Sequence, residues 1–349
     1  MIHSNRRLPA EWENYEAVII GWPHADSDWA YMLETVQHTV VEIIETLVAD
    51  EMTVVLVAPD PAEPKSMLEH IDQRYLKLCK IDTNDTWARD YGVITCIADD
   101  NSPVLCDFKF NGWGLKFAAD KDNLITLNMI ENGYMAGNRE NHLGFVLEGG
   151  SIESDGKGTI LTTSECLLSP NRNGNLSRDE IERYLKSALG AERVMWLDYG
   201  YLAGDDTDSH VDTLARLVSD DTIVYVKCDD TADEHYEQLS QMEKQLTELR
   251  RSDGMPYNLV GLPMPHPIFD NDGQRLPATY ANFLIASRSV LLPVYGQPQN
   301  DELARLIMQS LFPDRIVRCI DCTSLIQQHG SLHCMTMQVP RGVIVNSNN

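Results

Sequence analysis

The sequence predicts an α/β fold, because strand-like and helix-like segments alternate along the whole of its 349 residues. Short runs rich in Val, Ile, Leu and aromatic residues recur from end to end, as in EAVIIGW and TIVYVKC. Amphipathic stretches separate several of these runs. Because no segment rich in Pro, Gly or Ser divides the chain, we expect one domain over residues 1–349.

The individual elements follow from local patterns. Strands are predicted, in order, at EAVIIGW, TVVLVAP, PVLCDFKF, GTILTT, TIVYVKC, NFLIASRSVLLPVY and RIVRCI. Helices are predicted at YMLETVQHTVVEIIETLVAD, SRDEIERYLKSALG, TADEHYEQLSQMEKQLTELR and NDELARLIMQSLF, the second of them capped by Ser177 and ended by Gly190. The stretch GLPMPHPIFDNDGQRLPATY has no clear element, and loops of this length are often functional.

The charge balance restricts the class of partner. Asp and Glu number 53 against 28 Lys and Arg, which gives a net charge of -25 and argues against a nucleic-acid partner. An acidic surface attracts cations, so it favours a cationic substrate weakly. We find no export signal and no apolar run long enough to span a bilayer, and therefore expect a cytoplasmic protein without a membrane partner.

The cysteines indicate reduced thiols rather than a disulfide framework. They are scattered over a long chain that lacks an export signal: Cys79, Cys96, Cys106, Cys166, Cys228, Cys319, Cys322 and Cys334. The single CIDC pair has no second pair and no nearby His cluster, so its zinc signal is weak. We therefore predict neither a metal nor an organic cofactor.

The segment TNDTWARDYG (83–92) places Asp85, Arg89 and Asp90 around Trp87. A carboxylate beside an aromatic ring suits a planar cation, with charge at its edge and stacking on its face. The same residues could form an Arg–Asp surface pair beside a core Trp. The segment LEGGSIESDGKGTILTT (147–163) puts Glu148 before two glycines and favours a buried acid, although a hairpin with solvated acids is the alternative.

Two further segments carry ionisable side chains. In GDDTDSHVDTLARLV (204–218), His210 and Asp212 are two residues apart, so on a strand they would share one face, where the carboxylate would raise the pKa of the imidazole. In SLHCMTMQVP, Cys334 lies between a loop and a strand-like run and is either a core cysteine or a nucleophile. Together the four segments supply what is needed to break a C–N bond at a guanidinium carbon.

The order of these motifs carries a resemblance. WARDYG, LEGGSIESDGKGTILTTSECLLSPNRN, DDTDSHVDTLARLV and LHCMTMQVP, with the opening EWENYEAVIIGWPHADSDW, resemble the agmatine deiminase branch of the bacterial peptidylarginine-deiminase-like family. The resemblance extends from about Pro9 to Pro340. It implies a five-bladed α/β propeller, the pentein fold, and hydrolysis of agmatine to N-carbamoylputrescine and ammonia in putrescine and polyamine biosynthesis.

The resemblance also implies roles for four catalytic residues. Cys334 would be the nucleophile that forms a covalent thiouronium intermediate, and His210 would be the general acid and base. Asp90 would hold the substrate guanidinium through charge-assisted hydrogen bonds. Asp212 would do the same or would orient His210.

Substrate-binding roles are expected for four other residues. Trp87 would stack on the guanidinium, and Glu148 would belong to the acidic shell. Asp206 and Asp208 would bind the distal ammonium of agmatine, although the run DDTD could equally be a solvated loop. The sequence departs from the family at Ser209, where a glycine is common, and at positions 329–332, where the family often has a glycine-rich run.

Other functions stay open at this stage. A deiminase acting on peptidylarginine would need an open cleft, and one acting on free arginine would need a cation such as Arg172 or Arg89 for the carboxylate. A non-catalytic pentein binding module is a more distant alternative. A metal-dependent hydrolase would use His210 and Asp212 as ligands. The expected partner is a small guanidinium molecule, and homo-oligomer formation is left open.

Overall fold

The computed structural model describes residues 6–345, and five β-sheets organise this part of the chain. The strands, numbered in chain order, are β1 (Arg6–Arg7), β2 (Tyr15–Gly21), β3 (Thr53–Ala58), β4 (Leu76–Lys80), β5 (Ile94–Ala98), β6 (Pro103–Lys109), β7 (Asn138–Val146), β8 (Ile152–Ser154), β9 (Thr159–Thr163), β10 (Arg193–Leu197), β11 (Ala215–Ser219), β12 (Thr222–Lys227), β13 (Asn258–Pro263), β14 (Leu284–Ile285), β15 (Ser289–Val294), β16 (Ile316–Asp321) and β17 (Thr336–Pro340).

Helices lie between many of these strands. The α-helices are α1 (Leu33–Ala49), α2 (Ala62–Met67), α3 (Ala88–Tyr91), α4 (Gly112–Leu115), α5 (Ile125–Glu131), α6 (Ser164–Leu167), α7 (Pro170–Asn173), α8 (Arg178–Leu189), α9 (Tyr236–Glu248) and α10 (Pro298–Leu311). Short 3-10 helices occupy Ala30–Met32, Gln73–Tyr75, Asp122–Leu124, Gly149–Ser151, Val211–Thr213 and Leu325–Gln328. None of the helices within residues 6–345 has both the length and the apolar character needed to cross a membrane.

Each sheet forms one blade. Blade 1 has the strand order β17-β2-β3-β4, blade 2 has β1-β5-β6-β7, blade 3 has β10-β9-β8, blade 4 has β11-β12-β13 and blade 5 has β14-β15-β16. In blades 3, 4 and 5 an antiparallel pair is followed by a helix and then by a strand parallel to the second member. The helices α8, α9 and α10 make these three crossovers, which parallel pairing requires.

The repeated unit confirms the predicted α/β class, and the five sheets agree with the five blades that the resemblance implies. Both ends of the chain build blade 1, because β17 pairs antiparallel with β2, with Met337 opposite Ile19. This pairing brings the segment that precedes β17 next to α3. The backbone N–H of Arg89 donates to the carbonyl of Cys334 at 3.1 Å.

The predicted elements are largely present. Ser177 and Glu180 form a capping box at the start of α8, and Gly190 ends that helix with φ of 73°. The predicted strand NFLIASRSVLLPVY is instead a short hairpin of β14 and β15, with Ile285 opposite Val290. The prediction of a single domain stays a prediction, and its residues 1–5 and 346–349 lie outside the described range.

One arginine joins four of the blades near the centre. Arg216 on β11 is fully buried, and its guanidinium pairs with Glu11, just before blade 1, and with Glu153 on β8 of blade 3. It also donates to the carbonyls of Ala281, at 3.0 Å, and Phe283, at 2.8 Å, which precede blade 5. A buried charge with this many partners links the blades more firmly than the apolar contacts between them would alone.

We expect Arg216→Met to lower the free energy of unfolding by about 3–5 kcal/mol, because it leaves two carboxylates buried without their cation. Urea unfolding followed by tryptophan fluorescence would measure this. The control is Arg305→Met, which removes an exposed pair with Glu302 and should change stability by less than about 1 kcal/mol. Equal stability of Arg216→Met and the wild type would show that the blades do not depend on this cation.

Candidate active site

Four ionisable side chains from three segments of the chain lie close together in the fold. Asp90 lies in α3, Cys334 lies in the turn before β17, and His210 and Asp212 lie at and in the 3-10 helix Val211–Thr213. All four are almost fully buried. The four catalytic candidates of the sequence are therefore brought together, although nothing in the fold alone assigns their roles.

His210 and Asp212 do not lie on a strand, so the shared strand face that their spacing would give does not apply. The carbonyl of His210 accepts hydrogen bonds from the backbone N–H of Thr213, at 3.2 Å, and from its hydroxyl, at 2.8 Å, which closes a turn. Asp208 and Ser209 just before it have positive φ values of 63° and 61°, which interrupt extended backbone. The two side chains still serve one site because the turn is tight.

Asp90 is held by donors on both of its oxygens. The indole Nε1 of Trp113 donates to Oδ2 at 2.9 Å, and the backbone N–H of Gly150 donates to Oδ1 at 3.0 Å. Burial is the largest influence on this carboxyl and raises the pKa of Asp90. The same Oδ1 lies 3.5 Å from Nδ1 of His210.

His210 is fully buried, and within residues 6–345 neither of its ring nitrogens has a hydrogen-bond partner. Burial alone would lower the pKa of His210, but the Asp90 carboxylate and then Cys166 outweigh it and raise this pKa to about 10. The imidazole is therefore a cation at neutral pH. A buried cation with unused N–H donors is suited to give a proton to a bound molecule.

A second group of residues lies behind His210. Ligand atoms of Glu148, Cys166 and His210 lie within 4.8 Å of one another, so these three buried side chains are the donor set that could hold a metal. However, Nε of Arg172 donates to both oxygens of Glu148, at 2.8 and 3.1 Å. This donor set fits a charge-balanced ion pair beside the imidazole better than a cation site, because a metal would add positive charge next to a buried guanidinium.

Asp212 has one occupied oxygen and one free oxygen. Its Oδ2 accepts from Nδ1 of His333 at 2.7 Å and from Nδ2 of Asn282 at 3.3 Å. Its Oδ1 is buried and has no hydrogen-bond partner in the described part of the chain. Burial would raise the pKa of Asp212, but the hydrogen bond and charge of His333 outweigh burial and lower it. Asp212 is therefore an ionised carboxylate with one oxygen available.

Cys334 lies beside this carboxylate. Its Sγ is 3.4 Å from Oδ1 of Asn282 and 3.9 Å from Oδ2 of Asp212. Burial, followed by the negative charges of Asp212 and Asp90, raises the pKa of Cys334 well above its usual range. The free protein therefore holds a neutral thiol at this position, which is not yet a nucleophile.

A cavity of about 570 Å³ opens onto Cys334 and Asp90. Its aromatic walls come from Trp87, Trp113 and Phe117. Besides Asp90, three carboxylates line it, from Asp28, Asp85 and Asp206, and the described residues contribute neither Arg nor Lys to its lining. The cavity is therefore built to take a flat, positively charged molecule.

Two of the predicted substrate contacts are not part of this lining. Glu148 is behind His210, and Asp208 is bound by Nζ of Lys116 at 2.6 Å and by Nη1 of Arg172 at 2.5 Å. Asp206 does line the cavity, as does Trp87, whose Nε1 donates to Oδ2 of Asp85 at 3.1 Å. The acidic run of the sequence thus divides between the cavity and an internal ion pair.

The two departures from the family's glycine pattern have a backbone explanation. Ser209 and His329 both have left-handed φ values, 61° and 66°, which glycine adopts without strain. The N–H of Ser209 donates to Oδ2 of Asp205 at 2.7 Å, and Nδ1 of His329 bonds to the carbonyl of Gly204 at 2.7 Å. These bonds hold the backbone of both residues in a conformation that glycine adopts more easily.

Sequence reasoning missed several residues of the site. Trp113, in the run NGWGLKF, has φ of 55° between two glycines, and this glycine-flanked aromatic run could have been noticed as a special loop. Asn282 and His333 reach the site only through blade 5 and the turn before β17. Nothing in the local sequence of Asn282 marks it, because its partners lie at least 51 residues away.

A gap at Gly150 is essential to the geometry. A Cβ atom at this position would lie 2.7 Å from Nδ1 of His210, 2.8 Å from Oδ1 of Asp90 and 3.1 Å from Oδ2 of Asp212. The first two distances are too short for real Cβ contacts, and the third is tighter than most of them. The glycine therefore allows the imidazole and the two carboxylates to approach one another over the backbone.

Comparison with known proteins agrees with this geometry. The model of the Porphyromonas-type peptidyl-arginine deiminase family matches residues 7–340. The chain belongs to this family. The resemblance seen in the motifs is therefore confirmed.

Relatives with other names share the whole length. A Marinomonas protein provisionally named an agmatine deiminase is 32% identical, with 96% of this chain and 94% of its own length covered. A C. jejuni agmatine deiminase, solved as a cysteine-to-serine variant with substrate bound, is 34% identical with a TM-score of 0.88, over 97% of this chain and 96% of that one. A Porphyromonas gingivalis protein provisionally described as an arginine deiminase is 50% identical with a TM-score of 0.91, over 97% and 100%.

As a member of this family, the protein is an enzyme that hydrolyses an amidine. A substitution at Gly150 tests whether the close approach of His210, Asp90 and Asp212 is needed for this activity. We expect Gly150→Ala to reduce ammonia release from the best guanidine substrate by roughly 10²-fold, because the new Cβ displaces His210 or Asp90. Steady-state kinetics would measure the loss.

The matched control is Gly144→Ala, since a Cβ at Gly144 has no atom within 4 Å. This variant should keep wild-type turnover, and both variants should retain the wild-type circular dichroism spectrum. Full activity in a folded Gly150→Ala protein would mean that the close approach at this glycine is not required for the chemistry.

Proposed function

We propose that this protein hydrolyses agmatine to N-carbamoylputrescine and ammonia. The observation that carries the proposal is the cavity above Cys334, which is lined by four carboxylates and by no Arg or Lys of the described residues. Agmatine has a cationic guanidinium at one end and a cationic amine at the other, and it has no carboxylate. A lining of this kind attracts both ends of agmatine and repels an anion.

The guanidinium end would bind at the carboxylates nearest Cys334. Asp90 lines the cavity, and Asp212 lies 3.9 Å from Sγ of Cys334 without lining the cavity, with an Oδ1 that has no partner in the described chain. A planar guanidinium offers N–H donors in pairs along its edges. Binding to these oxygens would fix its plane and hold its carbon beside Sγ of Cys334, which supplies the orientation that the reaction needs.

Ionisation of the thiol would follow from the arrival of the substrate. The pKa of Cys334 is raised in the free protein by burial and by two carboxylates. A guanidinium bound to those carboxylates cancels their charge and adds a cation within a few Å of sulfur, which favours the thiolate. The nucleophile is thereby formed only when a cation of the right shape is present.

The first half of the reaction forms a covalent intermediate. The Cys334 thiol releases its proton to solvent and the thiolate adds to the guanidinium carbon, while His210 gives its own proton to the nitrogen that departs as ammonia. The raised pKa of His210, about 10, keeps the imidazole protonated for this step at neutral pH. An S-alkylthiouronium on Cys334 remains.

The second half of the reaction restores the enzyme. His210, now neutral, takes a proton from a water molecule that attacks the thiouronium carbon. The C–S bond breaks, the hydroxyl proton passes to the departing sulfur as the ureido carbonyl forms, and the product is released with the neutral thiol restored. No step requires a metal or an organic cofactor, because the thiol does the covalent work.

The amine end would lie among Asp28, Asp85 and Asp206 at the outer part of the cavity. Asp85 is half-buried, and desolvation raises its pKa to about 6, so its charge at neutral pH is favoured further when a cation binds. Asp28 is exposed, and Asp206 is half-buried with a side chain that is 40% exposed. Asp208 contributes indirectly, because it holds Arg172 and Lys116 in place.

Free arginine is the main alternative substrate, in view of the name given to the P. gingivalis relative. It would require a cation for its carboxylate. Arg172 is bound to Glu148 and Asp208 behind the cavity, and Arg89 bonds to Gln338 on the other side of the centre. Peptidylarginine has no second cation to place against the carboxylates that line the cavity. These contacts favour agmatine over both.

The place of action is part of the proposal. All eight cysteines of the described chain are free thiols. We propose a cytoplasmic enzyme on this basis, because reduced thiols persist in that compartment.

The substrate is tested by ammonia release from agmatine, arginine and a blocked arginyl peptide in parallel. We expect release from agmatine and at least about 10²-fold less from the other two, with complete loss in Cys334→Ala, since the thiol forms the intermediate. Release from arginine at a comparable rate would overturn the substrate. Release that survives in Cys334→Ala would overturn the nucleophile.

The amine site is tested by Asp206→Asn with agmatine and with butylguanidine, which lacks the amine. We expect kcat/KM for agmatine to fall roughly three- to tenfold, because one partly exposed ion pair is lost, and kcat/KM for butylguanidine to change little. The control is Asp229→Asn, an 81% exposed acid that is paired with Lys227 and is not part of the cavity lining. Equal losses for the two substrates would place the amine elsewhere.

A further inference from the structure

An asparagine that the chemistry above does not use lies between the nucleophile and a substrate-binding carboxylate. Asn282 is fully buried and comes just before β14 of blade 5. Its side chain bonds to both Cys334 and Asp212. No other described side chain is bonded to both of them.

The orientation of the Asn282 amide is fixed by its neighbours. Two backbone N–H groups, of His333 at 2.9 Å and of Cys334 at 3.2 Å, point to Oδ1. Because a backbone N–H can only donate, the oxygen of the amide must lie on this side. The NH2 group then lies toward Asp212, where it donates to Oδ2 at 3.3 Å and to the backbone carbonyl at 3.4 Å.

This orientation determines what the thiol meets. Sγ of Cys334 is 3.4 Å from the same Oδ1, so its neighbour is an acceptor with no proton to offer. An acceptor binds a protonated thiol and repels a thiolate. The carboxylates that act on this thiol are those of Asp212 and Asp90. Each of them is next to a histidine: Asp212 pairs with His333, and Asp90 lies near His210.

The backbone around Asn282 is equally constrained. The carbonyls on either side of it, of Ala281 and Phe283, accept hydrogen bonds from the buried Arg216. The carbonyl of Asn282 itself accepts from the N–H of His333 at 3.1 Å. These hydrogen bonds fix the backbone that carries the Asn282 side chain, so the amide cannot easily move with Cys334 or Asp212.

We propose that Asn282 is a positioning residue of the reaction, which locks the Cys334 thiol and the Asp212 carboxylate into one unit and keeps the thiol protonated until a cationic substrate arrives. The proposal deepens the function proposed above and rests on it. Asn282 leaves Oδ1 of Asp212 free for the guanidinium by occupying Oδ2 together with His333. It also protects the resting sulfur from electrophiles other than the substrate.

Two variants of Asn282 have opposite expected effects on the resting thiol. Asn282→Ala removes the acceptor, and alkylation of Cys334 by iodoacetamide at pH 7.5 should become roughly tenfold faster. Asn282→Asp keeps the shape but adds negative charge beside sulfur, and alkylation should become roughly tenfold slower. Mass spectrometry of the peptide that contains Cys334 separates this thiol from the seven other cysteines.

Turnover provides the second readout. Both variants should reduce kcat for agmatine by roughly 10²-fold, because the sulfur and Asp212 lose their common support. The control is Gln37→Ala, which removes a buried amide of α1 that bonds to Pro23 and Glu63, and which should change neither alkylation nor kcat. Melting temperatures identify any variant that fails to fold. If Asn282→Ala fails to fold, the isosteric Asn282→Asp still tests the proposal.

The outcomes separate this proposal from the proposed function. Opposite shifts of the alkylation rate in the two variants support the role of Asn282 in the resting thiol even if agmatine proves not to be the substrate. Equal acceleration in both folded variants would indicate simple loosening and would overturn the proposal, as would unchanged alkylation. If the wild type releases ammonia from agmatine but the two Asn282 variants are alkylated at the wild-type rate, the proposed function stands and only the role of Asn282 is overturned.

Discussion

The site depends on one chain of buried charges. Arg216 pairs with Glu11 and Glu153, Nε2 of His333 lies 2.9 Å from Glu11 and 3.1 Å from Arg216, and Nδ1 of His333 donates to Asp212 at 2.7 Å. Removing water from so many charges is costly, and only complete pairing offsets the cost. The same pairing fixes the position and the ionised state of Asp212. Stability and substrate binding are therefore supported by the same contacts.

At the end of this network, three polar atoms have no partner within residues 6–345: Nδ1 and Nε2 of His210 and Oδ1 of Asp212. Buried polar groups in proteins are normally paired, so unpaired ones in a catalytic cluster indicate where a ligand binds. A guanidinium supplies donors for Asp212 and, after addition of sulfur, a nitrogen that can accept a proton from His210. The cost of leaving these atoms unpaired is offset when substrate arrives.

The electrostatic pattern around sulfur gives the enzyme selectivity before any chemistry. Burial and the charges of two carboxylates favour the neutral thiol of Cys334, whose sulfur lies 3.4 Å from the amide oxygen of Asn282. Only a bound cation reverses this balance. A cavity that has carboxylates along its walls and aromatic rings from Trp87 and Trp113 selects that cation by charge and by planar shape.

The sequence by itself determined the α/β class, the four longest helices and the polar segments that form the candidate site, because hydrophobic periodicity, capping residues and polar motifs such as WARD and SHVD are local signals. The resemblance added the five blades. Only the tertiary structure decided that His210 and Asp212 lie on a turn, that Asp208 pairs with Arg172, and that Asn282 and His333 support the site. These contacts join residues of different blades, and no local pattern records which distant partner a buried polar group will meet.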